Sequence, residues 1–444
     1  MSPQPQHDVA LPGPGGPRLI SVLKVLRDPH AAYTGWFAKH GDPCLIRSYN
    51  GDIVLTARPE LVRQVFAGDA SLFAPFAGDV LTPILGPRTI FSQEGKAHLA
   101  ERKLLMPPLH GSRMRHYGET IVAATRRAMG DLRPGERVVM QELMMRISLD
   151  VIVEAVFGIQ GEARSKLFYT VVEEAVARAH PALFFNKATQ ASFFGLTPWD
   201  RFVRARDRMN ALIREEIEQR RGHEGEREDI LSMLMQARYE NGEPITTEHL
   251  RDQLVTLLVA GHETTALSLS RAMELLHRHP LELERLREAL SSLDLDDPNT
   301  VARDPRLKAV CQETLRLYPV LPDALRVLKE PFQLGEVTVP AGYVIAVAAT
   351  VTHRDPTLYP DPDAFRPERF MERTYRPWEF YPFGGGHRRC AGAAFAMYEM
   401  TLVLATLALG WRFELLEPGP VPTVRRNVTM GPATGVRMRL IEPR

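Results

Sequence analysis

Hydrophobic positions along this chain follow two periods, and each predicts its own kind of element. From about residue 95 to 315 apolar residues recur at three- and four-residue intervals, as in Met140–Phe157, where Leu143, Ile147, Leu149, Val151, Ile152 and Val156 crowd one broad face. Such text predicts helices. The longest is residues 246–279: Thr246 is placed to cap it, Glu248 falls in its first turn, and His277, Arg278 and His279 before Pro280 supply a cationic end and a stop. At about 1.5 Å per residue it would run roughly 50 Å, enough to cross a domain. Residues 304–319 predict another helix, with Asp304 as N-cap and Pro305 in first position.

Strand-like text is confined to shorter pieces. Cys44–Ile46 and Ile53–Thr56 flank Asn50-Gly51, a dipeptide suited to a type I′ hairpin turn, and Val337–Val339 and residues 343–349 are joined through Pro340-Ala341-Gly342. The expectation is a mainly α fold with a minor β region. Residues 1–20 read as a Pro/Gly-rich leader with no apolar run long enough to span a bilayer, and residues 21–444 as a single domain. The charge-dense residues 214–229 read as a solvated loop between helices.

Charge alters this picture little. The formal net charge is +1 with 25% charged residues, so nothing global points to nucleic acid or an anionic membrane. The three cysteines, Cys44, Cys311 and Cys390, are odd in number and far apart, which argues against a disulfide framework and for a reducing, cytoplasmic setting.

Three stretches carry candidate chemistry. In FGGGHRRCAG, Phe383 to Gly392, a cysteine sits among glycines and arginines just before a long apolar segment; a helix start and nearby cations favour a thiolate. Within the longest helix lies AGHETT, Ala260 to Thr265. Ala260 and Gly261 would let a flat ligand or a diatomic molecule approach the backbone, and the Thr264 hydroxyl can bond the Ala260 carbonyl. Glu263 beside Thr264 suits a proton relay; a kinked helix with one exposed Glu fits the same letters. Glu313 and Arg316 share a helix face, where most such pairs are exposed and weak, while Arg369 in FRPERF offers a second cation.

GxETT in a long helix, ExxR in a later one, then PERF and FxxGxRxCxG, in this order over nearly the whole chain, resemble the cytochrome P450 family of haem-thiolate monooxygenases. The resemblance implies the cytochrome P450 fold, with haem b between the long helix and the Cys loop. It implies Cys390 as axial ligand, with Phe383, Gly384 and Gly392 around it and Gly386 among the loop glycines. It further implies His98, Arg102, Arg326 and Arg388 as propionate contacts, Ala260 and Gly261 against the haem, and Glu313, Arg316 and Arg369 as a structural cluster. Glu263 and Thr264 match the acid–alcohol pair that delivers protons when dioxygen is activated.

The same resemblance implies insertion of one oxygen atom from O2 into a hydrophobic small molecule. Electrons would come from NAD(P)H only indirectly, through a ferredoxin or flavodoxin and its reductase, to a monomer without a membrane span. By position the substrate pocket would include Phe73, Phe76, Leu81, Phe184, Phe185, Val259, Val320, Leu321 and Met430, an apolar lining suited to a fatty acid, terpenoid, steroid-like or macrolide compound. Some of these phenylalanines could equally be plain core. Two rivals stand beside this reading: a haem-thiolate sensor without turnover, and a non-haem fold using Cys390 as nucleophile or zinc ligand, for which no second Cys or His sits at zinc spacing.

Overall fold

A computed structural model describes residues 11–443 apart from residues 50, 77, 160–161, 180–182, 184–186, 224, 226, 295 and 427. The helices that bear on the site are α1 (Arg18–Arg27), α2 (Pro29–His40), α3 (Met140–Phe157), α4 (Pro198–Arg220), α5 (Thr247–Arg278), α6 (Pro305–Leu317) and α7 (Ala393–Gly410). Helix dominates strand, 56% against 12%, so the mainly α expectation holds.

Helix α5 begins and ends where its signals put it. The Thr246 hydroxyl accepts from the His249 N–H at 3.3 Å, and His277 and Arg278 occupy the last turn, where their charge faces the orphan carbonyls. Its most extensive partner is α3, which keeps its predicted bounds because apolar residues on nearly every side leave it buried nearly all round. A Cβ on Gly261 would lie 2.8 Å from Ile152 Cδ1 of α3. The missing side chain therefore lets the two helices close together. Helix packing is thus a reason for glycine at 261 that the sequence did not show.

The main sheet has strand order β1-β2-β8-β5-β3, built from β1 (Cys44–Ile46), β2 (Ile53–Thr56), β3 (Phe73–Ala74), β5 (Ala324–Leu328) and β8 (Val344–Val347). β1 and β2 pair antiparallel with Ile46 opposite Ile53, which leaves residues 47–52 as the connection rather than a two-residue turn at Asn50-Gly51. Asn50 itself lies outside the described residues. β8 runs parallel to β2 and stops at Val347, because Ala349–Thr352 turns helical. β6 (Phe332–Leu334) and β7 (Val337–Val339) form a separate hairpin. Strand β4 (Arg137–Val139) joins a third sheet with β9 (Trp411–Leu415) and β12 (Arg437–Pro443), while β10 (Thr423–Arg426) and β11 (Thr429–Pro432) make a hairpin against α5.

Two boundaries differ from the sequence reading. Helix α1 starts inside the expected leader, and the Leu45 N–H already donates to the Pro12 carbonyl at 2.9 Å. The expected loop 214–229 begins as helix: α4 continues to Arg220, whose buried guanidinium donates to Asp229 and Ser232 at 2.6 Å, to the Phe157 carbonyl at 2.7 Å and to Glu216 at 3.1 Å. Dense charge there marks an internal ion network as much as a solvated face.

Candidate haem-thiolate site

The loop from Phe383 to Cys390 closes on itself, with the Cys390 N–H donating to the Phe383 carbonyl at 2.9 Å. Gly384 and Gly386 take left-handed φ of 66° and 63°. A Cβ on Gly385 would fall 2.2 Å from the Phe66 ring, and one on Gly386 2.4 Å from the Phe66 carbonyl oxygen. Phe66, which the sequence did not single out, thus explains two of the glycines. Gly392 has φ −86° and leads into α7, and its N–H bonds the Cys390 sulfur.

Cys390 is exposed on one side although its surroundings are protein. Burial pushes its thiol up, opposed by the Gly392 N–H and by the Arg102 and Arg389 guanidiniums. The expected depression by the helix start and cations is therefore outweighed in the protein alone; a bound metal deprotonates such a thiol outright. Cys44 and Cys311 are buried, and burial raises Cys44 to about 12.

Beside the loop lies a knot of cations. His98 is buried and its Nδ1 has no partner among the described residues; the same holds for Arg388 Nε and His387 Nε2. Arg388 donates to the Ile90 carbonyl at 3.3 Å and the Gln93 carbonyl at 2.5 Å, Arg326 to the Gly385 carbonyl at 3.1 Å, and Arg102 to the Arg389 carbonyl. Burial, then Arg388, His387, Arg102 and Arg326 in turn, pushes His98 down to about 3. Burial and then Arg388 bring Arg326 to about 10. Among the described residues no carboxylate forms an ion pair with Arg102, Arg326 or Arg388. Cations gathered against their own repulsion, with ring and guanidinium nitrogens unpaired, suit an anionic ligand.

In mid-α5 the burial pattern breaks. Ala260 is exposed and Leu257, Gly261, Glu263 and Thr264 are only partly covered, although flanking turns are buried. The Thr264 hydroxyl donates to the Ala260 carbonyl at 2.8 Å, as expected. Glu263 points elsewhere: its Oε1 accepts from Thr429 Oγ1 at 3.4 Å, and burial raises its pKa against that bond and the Arg426 charge. Neighbouring helix residues diverge by about 100°, so acid and alcohol are not in direct line.

Glu313 and Arg316 are not a surface pair. Both are fully buried, and Glu313 accepts from Arg316 Nε at 2.7 Å and Nη2 at 2.8 Å, from Arg369 Nε at 3.0 Å and from the Arg366 N–H at 2.9 Å. Arg316 also donates to the carbonyls of His353, Pro362 and Ala364, and Arg369 to those of Pro360 and Asp361. His353 Nε2 in turn accepts from the Tyr381 N–H at 2.9 Å, and the Tyr359 hydroxyl donates to the Glu379 carbonyl at 2.8 Å. The cluster thereby ties α6 to the approach of the Cys390 loop.

Comparison with known proteins bears on the same residues. The family model described as Cytochrome P450 matches residues 11–436. The chain belongs to the cytochrome P450 family. A putative cytochrome P450 135B1 of Mycobacterium tuberculosis is 33% identical over 445 residues, covering 96% of this chain and 91% of the relative, and a putative cytochrome P450 137 of the same organism is 33% identical over 395 residues, covering 88% and 80%. Among solved structures, the retinoic acid-bound cyanobacterial CYP120A1 superposes with TM-score 0.81 at 26% identity, covering all of both chains. The cytochrome P450DA heme domain has TM-score 0.86 at 23% identity, covering 99% of this chain and 98% of its own, and supports the fold. The protein is a cytochrome P450 monooxygenase, an oxidoreductase.

The haem of this family fits the residues present: an open thiol, and an anion-seeking set of His98, Arg102, Arg326 and Arg388 for its two carboxylates. The pocket expectations fare unevenly in this P450. Phe73 is core, fully buried in β3 with its ring packed against Phe332 at 5.6 Å and stacked on His387 at 5.8 Å. Leu81 and Val259 lie partly buried against the main core and Phe76 is also half-covered. Phe184 and Phe185 lie outside the described residues. Val320 and Met430 do come together, the Met430 N–H donating to the Val320 carbonyl at 2.8 Å, and Leu321 beside them is exposed. The contacts of Glu263 with Thr429 and Arg426, and of His387 with the cation knot, had no sequence signal beyond the motif they adjoin.

Proposed function

We propose that this P450 hydroxylates or epoxidises a hydrophobic small molecule of the fatty acid, terpenoid, steroid-like or macrolide class, as a cytoplasmic monomer fed electrons by a ferredoxin or flavodoxin and its reductase. NAD(P)H enters only through that reductase. The observation that carries the reading is the single open thiol beside arginines, Arg102, Arg326 and Arg388, that form no ion pair with a carboxylate among the described residues. Retinoic acid, bound by one structural neighbour, is an apolar isoprenoid with a carboxylate and belongs to the same chemical range.

Haem b held by Cys390 supplies dioxygen activation and oxygen transfer. The chain's own residues do the rest. The Gly392 N–H tempers the sulfur's electron donation, and His98, Arg102, Arg326 and Arg388 hold the carboxylates. Thr264, hydrogen-bonded to Ala260 in the resting arrangement, holds a proton at its hydroxyl and passes it toward the reacting oxygen. Glu263, whose pKa burial raises against the Thr429 bond and the Arg426 charge, resupplies that proton once it swings from Thr429 or hands it on through water. Val320, Leu321 and Met430 exclude water around an apolar guest. The test is a screen of apolar compounds for a substrate-induced Soret shift, followed by product analysis with a ferredoxin system. Tight binders that are oxygenated support the reading; preference for small, highly charged solutes overturns it.

A further inference from the structure

Helix α1, RLISVLKVLR, is folded inside out. A surface helix ordinarily turns its apolar stripe to the core. Here Ser21 is 7% exposed, whereas Leu19, Ile20, Leu23 and Leu26 are each about half exposed, at 52%, 51%, 54% and 47%. Leu19, Leu23 and Leu26 stand at i, i+4 and i+7 on one line, with Ile20 beside it. The inner side is served by Ser21 and by Val25, which packs on the cluster around Trp36 and donates nothing to the outer stripe.

The charges around the stripe all have one sign within the helix. Lys24 lies beside Ile20, Arg27 falls between Leu23 and Ile20, and Arg18 lies on the other side past Val22, while α1 contains no acidic residue. Asp28, which follows, is engaged in capping α2 through the Ala31 N–H at 3.0 Å, and Asp52, 3.9 Å from Arg18, is shared with Arg47 at 3.5 Å. An apolar stripe bordered by Lys and Arg is the make-up of a helix lying in a lipid interface. A contiguous outward patch of this kind also marks an interaction surface rather than scattered leucines.

We propose that α1 is a peripheral docking face for an anionic phospholipid surface, its leucines entering the acyl boundary and Arg18, Lys24 and Arg27 meeting the headgroups. A second copy of this chain fits less well. Pairing two such faces sets like charges against each other, and a ten-residue helix face supplies far less than the roughly 1,200 Å² of a stable dimer. The mode is attachment of one short helix and needs no spanning segment. Among the described residues, the helix long and apolar enough to span is α7, and it is mostly buried in the fold.

The test is flotation of the haem-loaded, full-length protein with vesicles of phosphatidylglycerol and phosphatidylcholine, against pure phosphatidylcholine. Binding is expected to anionic vesicles, weaker by about tenfold or more on neutral ones and with added salt. Leu19→Ser combined with Leu23→Ser should lower it by about tenfold without changing the Soret spectrum or melting temperature, since both side chains are already exposed. Lys24→Glu with Arg27→Glu should abolish the anionic preference. No binding, or binding unaffected by either pair, overturns the proposal. Sedimentation showing a dimer that Leu23→Ser dissolves would assign the face to self-association and overturn it as well.

Discussion

Replacing Glu313 with alanine removes the carboxylate that both Arg316 and Arg369 pair with, at a site with no exposure. Four hydrogen bonds disappear and two guanidinium groups stay buried, held by backbone carbonyls and, for Arg316, the Tyr359 ring 5.1 Å away. Breaking a buried ion pair from one side costs about 3–5 kcal/mol. Spread over an unfolding entropy of roughly 2.1 cal/mol/K per residue for 444 residues, that lowers Tm by about 3–5 °C. The larger effect should be local, because Arg316 and Arg369 fix the carbonyls of residues 353–364 from which the Cys390 loop is hung. Haem content of the purified variant and its rate of haem loss to apomyoglobin are the assays, with Glu313→Gln as the milder partner that keeps shape and loses charge. An alanine variant with parental melting and haem retention would refute the argument.

Thr264→Ala should leave haem binding and the substrate-induced spin shift intact while oxygen consumption continues, product per NAD(P)H falls and hydrogen peroxide rises; unchanged coupling with a tightly bound substrate sinks its proton role. Gly385→Ala and Gly386→Ala should both release haem faster, but Phe66→Ala should relieve only the first, since Gly385 faces the Phe66 ring and Gly386, at positive φ, the Phe66 backbone oxygen; equal rescue of both contradicts the packing reason. Glu399 of α7 is buried beside Ser148 and burial pushes it up to about 8 from an ordinary 4.5. The folded protein therefore holds a proton the unfolded chain releases, so this group's stability is full below about pH 4.5 and is lost as pH rises to about 8. Glu399→Gln should flatten that part of a Tm-against-pH curve; an unchanged slope dismisses the buried acid.

Much of the architecture was readable because it rests on local rules. The bounds of α3, α5 and α6 follow from caps and apolar period, and the order of GxETT, ExxR, PERF and the Cys motif announced the family. What was not readable depends on partners distant in the chain. Nothing in FGGG names Phe66, and nothing in AGHETT names Ile152 as the side chain that a Cβ on Gly261 would meet. Phe73 was assigned to the pocket by its position in the resemblance, and position does not show that its ring packs on Phe332 and His387. Charge density misled at residues 214–229 for a related reason: Arg220 finds its carboxylates on both sides of a turn, which spacing alone does not show. The thiol's upward shift is the same lesson in electrostatics, since burial is a property of the whole fold.

One spectrum tests Cys390 as the iron ligand. The dithionite-reduced, carbonyl-bound protein should show the red-shifted Soret band of a thiolate-ligated haem, and Cys390→Ala should lose that band while Cys44→Ala and Cys311→Ala, whose thiols are buried away from the loop, should keep it. Survival of the band in Cys390→Ala, or its loss in Cys311→Ala with the fold intact, would contradict the assignment.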